Sequence, residues 1–236
     1  MEHLHEKRRS IDSIFKELHA TFGENISNLD RVCIEKLEFA DLQSRAIYEC
    51  RDKITNAYCG NEPHRAQCAS ILPEVFADFS ISAYLISCGL TVPARMSCRR
   101  ALEGGLAAIY MWDLPHEFWK WKRLDGDLSF SAMIEHLASN GFGAHVAAVK
   151  GLSEAEEYID SSDFKKLYRK LSNTVHGKNE DLAPLEPGRY APDSATIEKE
   201  LILLIDAERL VLMALRKRFP LVDEYLNQQF PRLPKT

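Results

Sequence analysis

The sequence predicts an all-α helical bundle, and three observations support this fold class. Apolar residues recur three and four positions apart along most of the chain, which is the period of an amphipathic helix. No segment alternates apolar and polar residues over the length of a strand. Glycine and proline stand mainly between the periodic segments, where helices end and begin. Helices that each bury one apolar stripe must pack on one another, so a bundle is the expected architecture.

The first part of the chain contains three periodic segments. An apolar stripe over residues 11–22 predicts an opening helix that Gly23 ends. A longer helix is expected over about residues 29–58. The next helical region covers about residues 65–88, and Pro73 either kinks this region or marks its true start.

A helix over about residues 91–112 contains the adjacent glycines Gly104 and Gly105. Each glycine costs roughly 1 kcal/mol of helix stability relative to alanine. We therefore expect a neighbouring helix to approach closely at this pair, because only a residue without a Cβ permits such an approach.

Shorter segments make up the rest of the chain. The predicted helices cover about residues 115–123, 129–139, 143–160 (as one or two short helices), 162–177 and 194–219. Asn140–Gly141 is expected to end the helix over 129–139. Ser161 or Ser162 is expected to cap the helix over 162–177, and Ser194 the helix over 194–219. The stretch 178–193 is rich in proline and is the one long loop.

Composition excludes several classes of protein. The formal net charge is -5, so no global positive field attracts nucleic acid, and any such contact must come from a local patch. The longest uncharged run, residues 79–94, is shorter than the roughly 20 residues that span a bilayer. Residues 1–10 are charged and have no apolar core of the signal-peptide type, so we expect no secretory signal. We expect a cytoplasmic protein that does not enter a membrane.

The six cysteines all lie in the first part of the chain and match no zinc-binding spacing. We expect them to be free thiols that pack as small apolar residues. His136 and His145 have no partner at ligand spacing, so no metal is expected. No nucleotide-binding or nucleophile motif indicates a cofactor.

The segment Tyr168–Gly177 carries the most information about function. At 100° per residue, one side of its helix is apolar and the opposite side is a compact polar cluster. The apolar stripe consists of Phe164, Leu167, Tyr168, Leu171 and Val175. The polar cluster consists of Arg169, Ser172, Asn173 and His176. Basic residues flank it: Lys165, Lys166, Lys170 and Lys178.

This polar cluster suits RNA cleavage without a metal. Attack of a 2′-hydroxyl on the adjacent phosphate needs a base that titrates near neutrality, and His176 supplies one. Arg169 would neutralise charge on the phosphoryl oxygens, while Asn173 and Ser172 orient the phosphate or the water. The alternative is an ordinary solvated helix face, with His176 capping the last carbonyls.

Two further patterns also allow two interpretations. Arg99 and Glu103, one turn apart, either pair along their helix or support the polar cluster by orienting His176 or binding phosphate. The tract Trp119-Lys-Trp-Lys-Arg123 either grips a single strand by stacking and charge, or anchors one tryptophan in the core. We favour the pairing and the anchor.

The arrangement R-x(4–6)-H late in an all-α domain resembles the HEPN superfamily, many members of which are ribonucleases. A Y-x-x-L-S-x-x-V-H-G pattern in bacterial HEPN-like proteins is similar to the segment Tyr168-Arg-Lys-Leu-Ser-Asn-Thr-Val-His-Gly177 of this chain. Those proteins also carry an earlier R-x-x-x-E, here Arg99 to Glu103, and an acidic-aromatic stretch like Asp113–Trp119. The resemblance covers about residues 65–220.

The resemblance implies a HEPN-like helical domain over residues 61–236 with an N-terminal helical extension over 1–60, or one continuous domain. It implies a metal-independent endoribonuclease in a toxin or phage-defence context. Arg169 and His176 would be catalytic, and would meet their counterparts in a homodimer. The flanking lysines would bind RNA, and an antitoxin or defence-system protein is an expected partner.

Two positions depart from the family pattern. Active members usually carry a polar residue directly after the arginine, where this chain has Lys170. This difference motivates an alternative, a non-catalytic HEPN-like module that binds a partner protein or nucleic acid. Members regulated by a nucleotidyltransferase antitoxin carry a tyrosine where this chain has Lys178, so that mode of regulation is not expected.

Overall fold

The computed structural model describes residues 11–154, 157–175 and 192–235. Within these ranges the chain is helical and contains no strand, which confirms the predicted all-α fold class. The helices are α1 (Ile11–Ser27), α2 (Arg31–Tyr58), α3 (Pro63–Ala69), α4 (Leu72–Ser87), α5 (Thr91–Asp113), α6 (Pro115–Leu124), α7 (Phe130–Leu137), α8 (Asn140–Lys150), α9 (Ser161–Val175), α10 (Ser194–Arg218) and α11 (Pro220–Gln229).

Helix α5 lies at the centre of the bundle, against α4, α9 and α10. Helix α2 closes the far side by packing on α4 and α10. Its buried residues Ile47 and Ile54 belong to the same apolar core as Leu102 and Leu106 of α5. The segment predicted as an N-terminal extension therefore contributes a core helix, while the domain boundary near residue 60 stays a prediction.

The two glycines of α5 lie where neighbouring helices come closest, as their sequence predicted. A Cβ on Gly105 would stand 2.7 Å from both γ-methyl carbons of Val211 in α10. A Cβ on Gly104 would stand 3.2 Å from a methyl of Val75 in α4. The glycines thus let both α10 and α4 pack closely on α5.

Several helix ends differ from the predicted ones. Gly23 does not end α1, which continues to Ser27, because Gly23 does not adopt the positive φ by which a glycine ends a helix. The pair Asn140–Gly141 opens α8 instead of ending α7, since the Ser139 hydroxyl accepts from the Phe142 N–H and caps α8.

Proline and aspartate account for three other differences. Pro73 marks a true start, because it occupies the first turn of α4. Asp193, and not Ser194, caps α10 by accepting from the Thr196 N–H. Pro220 begins the unpredicted helix α11, where a proline in the first turn leaves no hydrogen bond unmade.

One described stretch, Pro63–Ser87, is long and apolar enough by composition to cross a membrane. In the structure it is divided into α3 and α4, and α4 packs against α2 and α5. It also buries the Asp78 carboxylate, which receives two hydrogen bonds from Arg100. These are features of a core helix in a bundle.

The six cysteines are free and buried, as predicted. Burial raises the pKa of Cys33 to about 11 and that of Cys50 to about 12. Both thiols therefore stay protonated near neutrality and act as small apolar core residues.

Candidate nucleic-acid interface

Helix α9, which carries the predicted catalytic arginine, is fixed at its start by an aspartate. The Asp160 carboxylate accepts a hydrogen bond of 2.7 Å from the Ser162 N–H. Hydrogen bonds from Ser162 lower the pKa of Asp160. Asp160 therefore takes the capping role that the sequence assigned to Ser161 or Ser162.

The buried side of α9 matches the predicted stripe. Phe164 and Leu171 are fully buried and Leu167 is nearly so, while Tyr168 is half-buried. This side packs against α5 and, to a lesser extent, α10. The side chain of Val175, the remaining member of the stripe, lies outside the described residues.

Tyr168 joins α9 to α5 through a polar brace formed by Arg99, Glu103 and Tyr168. The Arg99 guanidinium donates to Glu103 at 2.9 Å and to the Tyr168 hydroxyl at 2.5 Å. The Tyr168 hydroxyl in turn donates to the Glu103 carboxylate at 2.9 Å. The predicted pairing of Arg99 with Glu103 is confirmed, and the tyrosine that completes it was not foreseen.

The aromatic ring of Tyr168 is held as firmly as its hydroxyl. It stacks on the Phe130 ring of α7, with centroids 3.7 Å apart and planes 6° from parallel. The Arg99 guanidinium also lies over the Tyr168 ring, 4.7 Å from its centroid. Burial, followed by the Glu103 carboxylate, raises the pKa of Tyr168, so its hydroxyl remains a donor.

The opposite side of α9 is a solvent-exposed basic surface, which we call the α9 outer face. Its exposed members are Lys165, Lys166, Arg169, Lys170 and Asn173. None of the four cations forms an ion pair with another described residue. The outer face begins immediately beside the brace, since Arg169 follows Tyr168 in sequence.

The predicted polar cluster is only partly exposed. Ser172 is 9% exposed, so the prediction that it shares a solvent-facing cluster with Arg169 is wrong. Its position borders the apolar stripe, and neighbouring helices cover that border. His176 and Lys178 lie outside the described residues, so the spatial relation of Arg169 to His176 stays a prediction.

Helix α6 is anchored in the core mainly by Phe118, which precedes the predicted tract Trp119–Arg123. Phe118 is fully buried, Trp119 is partly buried against the core, and Trp121 is 37% exposed. The Arg123 guanidinium lies 4.6 Å from the centroid of the Trp119 ring. One tryptophan thus packs on the core as expected, and its ring already stacks with a cation of the same helix.

The two histidines considered for a metal do not form a metal cluster within the described residues. His145 lies 3.2 Å from the Asp113 carboxylate, which also receives two hydrogen bonds from Arg218. Burial lowers the pKa of His136, so this imidazole is neutral near physiological pH. Asp113 was not predicted as a partner of His145, because the two residues are 32 positions apart in the sequence.

No family model, curated protein or solved structure matches this chain. The resemblance to the HEPN superfamily therefore rests on the motif residues themselves. The structure confirms the all-α fold class within the described residues. Membership of the HEPN superfamily stays a prediction.

Proposed function

We propose that the α9 outer face binds RNA and that Arg169 and His176 cleave it without a metal. The observation that carries this proposal is the set of exposed cations on α9 that form no ion pair within the part of the chain that the structure describes. Buried cations elsewhere in the described chain are matched with carboxylates, such as Arg95 with Glu200 and Arg218 with Asp113.

Electrostatics supports a local interface. The protein as a whole is acidic, with a formal net charge of -5. The outer face nevertheless places four cations within six consecutive residues, from Lys165 to Lys170. Phosphate contacts from lysine and arginine supply most of the affinity of sequence-independent nucleic-acid binding. An acidic surface elsewhere would confine RNA to this one helix.

Each residue has a distinct chemical role in the proposed reaction. His176 accepts the proton of the attacking 2′-hydroxyl, whose oxygen bonds to phosphorus while the bond from phosphorus to the 5′-oxygen of the next nucleotide breaks. The products are a 2′,3′-cyclic phosphate and a 5′-hydroxyl, which takes its proton from water. Arg169 donates hydrogen bonds to the phosphoryl oxygens as negative charge builds there. Asn173, one turn beyond Arg169, holds the phosphate or the water. Arg99 and Glu103 act through Tyr168, because the brace fixes the backbone that carries Arg169. They are positioning residues.

The proposal includes a homodimer in which two outer faces line one cleft. A polar face that points away from the core of its own monomer is available to a second copy. Two such faces would combine their cations around one strand of RNA. A toxin or phage-defence role in the cytoplasm, with an antitoxin or defence-system protein as partner, completes the proposal.

The test is cleavage of labelled RNA by the full chain in EDTA. Wild type should cut RNA, and His176→Ala should lower the rate by about 100-fold or more. Arg169→Ala should cause a loss of about 100-fold. The matched controls are His116→Ala and Arg31→Ala, whose side chains are 72% and 92% exposed on other helices.

The controls should cut at the wild-type rate. Equal cleavage by wild type and His176→Ala would contradict the catalytic proposal, as would the absence of cleavage on several structured and single-stranded RNAs.

A second candidate function is a non-catalytic module that binds RNA or a partner protein through the same face. Two observations favour it. Arg99 and Glu103 are committed to the brace with Tyr168, and Ser172 is buried, so fewer groups are free for catalysis than the sequence indicated. This candidate predicts that wild type leaves RNA intact, while Arg169→Ala weakens complex formation with the bound molecule in a pulldown.

A further inference from the structure

Helix α1 carries an apolar stripe that its own bundle leaves uncovered, which we call the α1 seam. The seam consists of Ile11, Phe15, Leu18 and Phe22, which follow one another at intervals of four, three and four residues. This alternation is the spacing of the core positions of a coiled coil, and it places all four side chains along one side of the helix. Yet no residue of α1 is buried, and Ile11 and Phe15 are 71% and 62% exposed.

The exposure of the α1 seam rises with distance from the bundle. Asn25 occupies the next position of the same spacing, and its side-chain amide donates to the Cys88 carbonyl at the end of α4 at 2.8 Å. One end of this side of α1 is therefore attached to the bundle. Farther from that end Leu18 is half-buried, and Phe15 and Ile11 are exposed. The N-terminal half of the seam is thus open to solvent.

A helix of this length and composition needs a partner for its apolar side. Isolated helices of about 12–15 residues are marginal in water even when rich in alanine, and most helical stability in proteins comes from packing. Helix α1 has 17 residues and contains the weak helix formers Thr21 and Gly23. Residues 1–10 have only Met1 and Leu4 as apolar members, so they offer no matching stripe. The partner of the seam is therefore expected outside this copy of the chain.

We propose that the α1 seam packs against α1 of a second copy of this chain, as an antiparallel helix pair. A seam with coiled-coil spacing is complementary to itself, because its side chains insert between those of an identical helix. Asn25 attaches the C-terminal end of each α1 to its own bundle, so a parallel pair would crowd both bundles at one end. An antiparallel pair separates the bundles and brings the open half of each seam beside α4 of the other copy.

The exposed apolar area is sufficient for a weak dimer. Ile81 and Tyr84 are 45% and 60% exposed on the side of α4 that ends at Cys88. At roughly 150–250 Å² for an aromatic side chain, Phe15 and Tyr84 leave about 90–150 Å² each uncovered. With the exposed isoleucines of both helices, each copy offers about 400 Å², and two copies about 800 Å². In a homodimer interface that is about 65% apolar, this corresponds to about 1,200 Å² in total, the lower end for stable association.

The test is the mass of the full chain by sedimentation velocity, at concentrations from about 1 to about 100 µM. Wild type should reach at least twice the mass of one chain at the highest concentration. Phe15→Glu should halve the wild-type mass, because a carboxylate in the seam would be desolvated without a partner. A wild type that is monomeric throughout, its seam left to a different protein or a lipid surface, would overturn the proposal. So would a Phe15→Glu variant with the wild-type mass.

Two further variants make the result specific. Tyr84→Ala should weaken the dimer several-fold, and an unchanged dimer would contradict the antiparallel arrangement. The matched control is Val149→Glu, at a position of α8 that is 53% exposed, and it should keep the wild-type mass. Equal loss of mass by this control would mean unspecific association and overturn the proposal.

The melting temperature separates loss of the dimer from unfolding. No side chain of α1 packs on the apolar core in the described part of the chain, so Phe15→Glu should melt like wild type at about 1 µM, where both are monomeric. The α1 seam and the α9 outer face share no residue, and the sedimentation test uses no RNA. The seam proposal therefore stands or fails independently of the RNA proposal.

Discussion

Charged side chains near the core of the bundle differ from those on the α9 outer face in both burial and ion pairing. Arg95 of α5 and Glu200 of α10 form a bidentate pair, with side chains 10% and 5% exposed. Arg218 and Asp113 form a second buried pair, at 4% and 6%. By contrast, Arg169 is exposed and has no ion-pair partner among the described residues.

This difference separates structural from functional charge. A buried ion must be paired, because the desolvation cost of an isolated charge exceeds what folding can supply. An exposed cation needs no partner, so a cluster of such cations is available to a ligand. The comparison predicts that changes in the core lower stability, while changes on the outer face alter binding and leave stability unchanged.

The largest effect on stability is expected from breaking the Arg95–Glu200 pair. Arg95→Ala leaves the Glu200 carboxylate buried without its partner, so the free energy of unfolding should fall by about 3–5 kcal/mol. The double variant Arg95→Met/Glu200→Leu should recover most of this loss, because an apolar pair avoids the desolvation cost. Urea denaturation measures both. A double variant no more stable than Arg95→Ala would show that packing, and not charge, dominates here.

A smaller loss of stability is expected from crowding the close contact between α5 and α10. Gly105→Ala places a Cβ 2.7 Å from the γ-methyl carbons of Val211, which is buried, so this side chain or its helix must shift. The free energy of unfolding should fall by about 1–3 kcal/mol despite the gain in helix propensity. Gly104→Ala is the matched control, since its contact of 3.2 Å with Val75 is milder and the propensity gain offsets it. Thermal unfolding of both variants ranks them, and equal melting temperatures would contradict the close approach of α10.

A third ionisable residue of the core, Glu208, tests the effect of burial through the pH dependence of stability. This carboxyl is fully buried, and burial raises its pKa well above the ordinary value of 4.5, although Ser44 donates to it at 2.6 Å. The native state therefore holds a proton that the unfolded chain releases as pH rises through 4.5. Its contribution to stability is complete below that pH and declines above it, up to the folded pKa.

Replacing Glu208 by glutamine should remove this decline. The difference in unfolding free energy between Glu208→Gln and wild type should grow with pH in favour of the variant, by at most about 1.4 kcal/mol per pH unit. Urea titrations at about pH 5 and about pH 8 measure it. Glu35→Gln, at an exposed position, should show no such trend, and a constant difference for Glu208→Gln would mean that the native carboxyl is ionised.

Helical period and local chemistry could predict much of this structure. The spacing of Phe164, Leu167 and Leu171 identified the buried side of α9, and the glycine pair of α5 identified a close contact. Both signals depend on neighbours within a few residues. Helix ends were predicted less well, because a glycine such as Gly23 ends a helix only where the chain has to turn.

Long-range contacts could not be predicted from local patterns. Asp113 and Arg218 are 105 positions apart, and Ser44 and Glu208 are 164 apart, so no spacing rule connects them. The same reason explains the error at Ser172, which borders the apolar stripe and is buried by helices from elsewhere in the chain. Tyr168 was assigned to the stripe, but its hydroxyl contacts could be found only in the fold.

The most direct test of the outer face compares two exposed arginines for RNA affinity. Fluorescence anisotropy of a labelled single-stranded RNA would be measured with Arg169→Gln and with Arg31→Gln, both in the His176→Ala background so that the probe stays intact. We predict that Arg169→Gln weakens binding several-fold and lowers the slope of log affinity against log salt by about 0.7, the loss of one phosphate contact. Arg31→Gln should match its parent, and an Arg169→Gln variant that also matches its parent would contradict an RNA-binding face on α9.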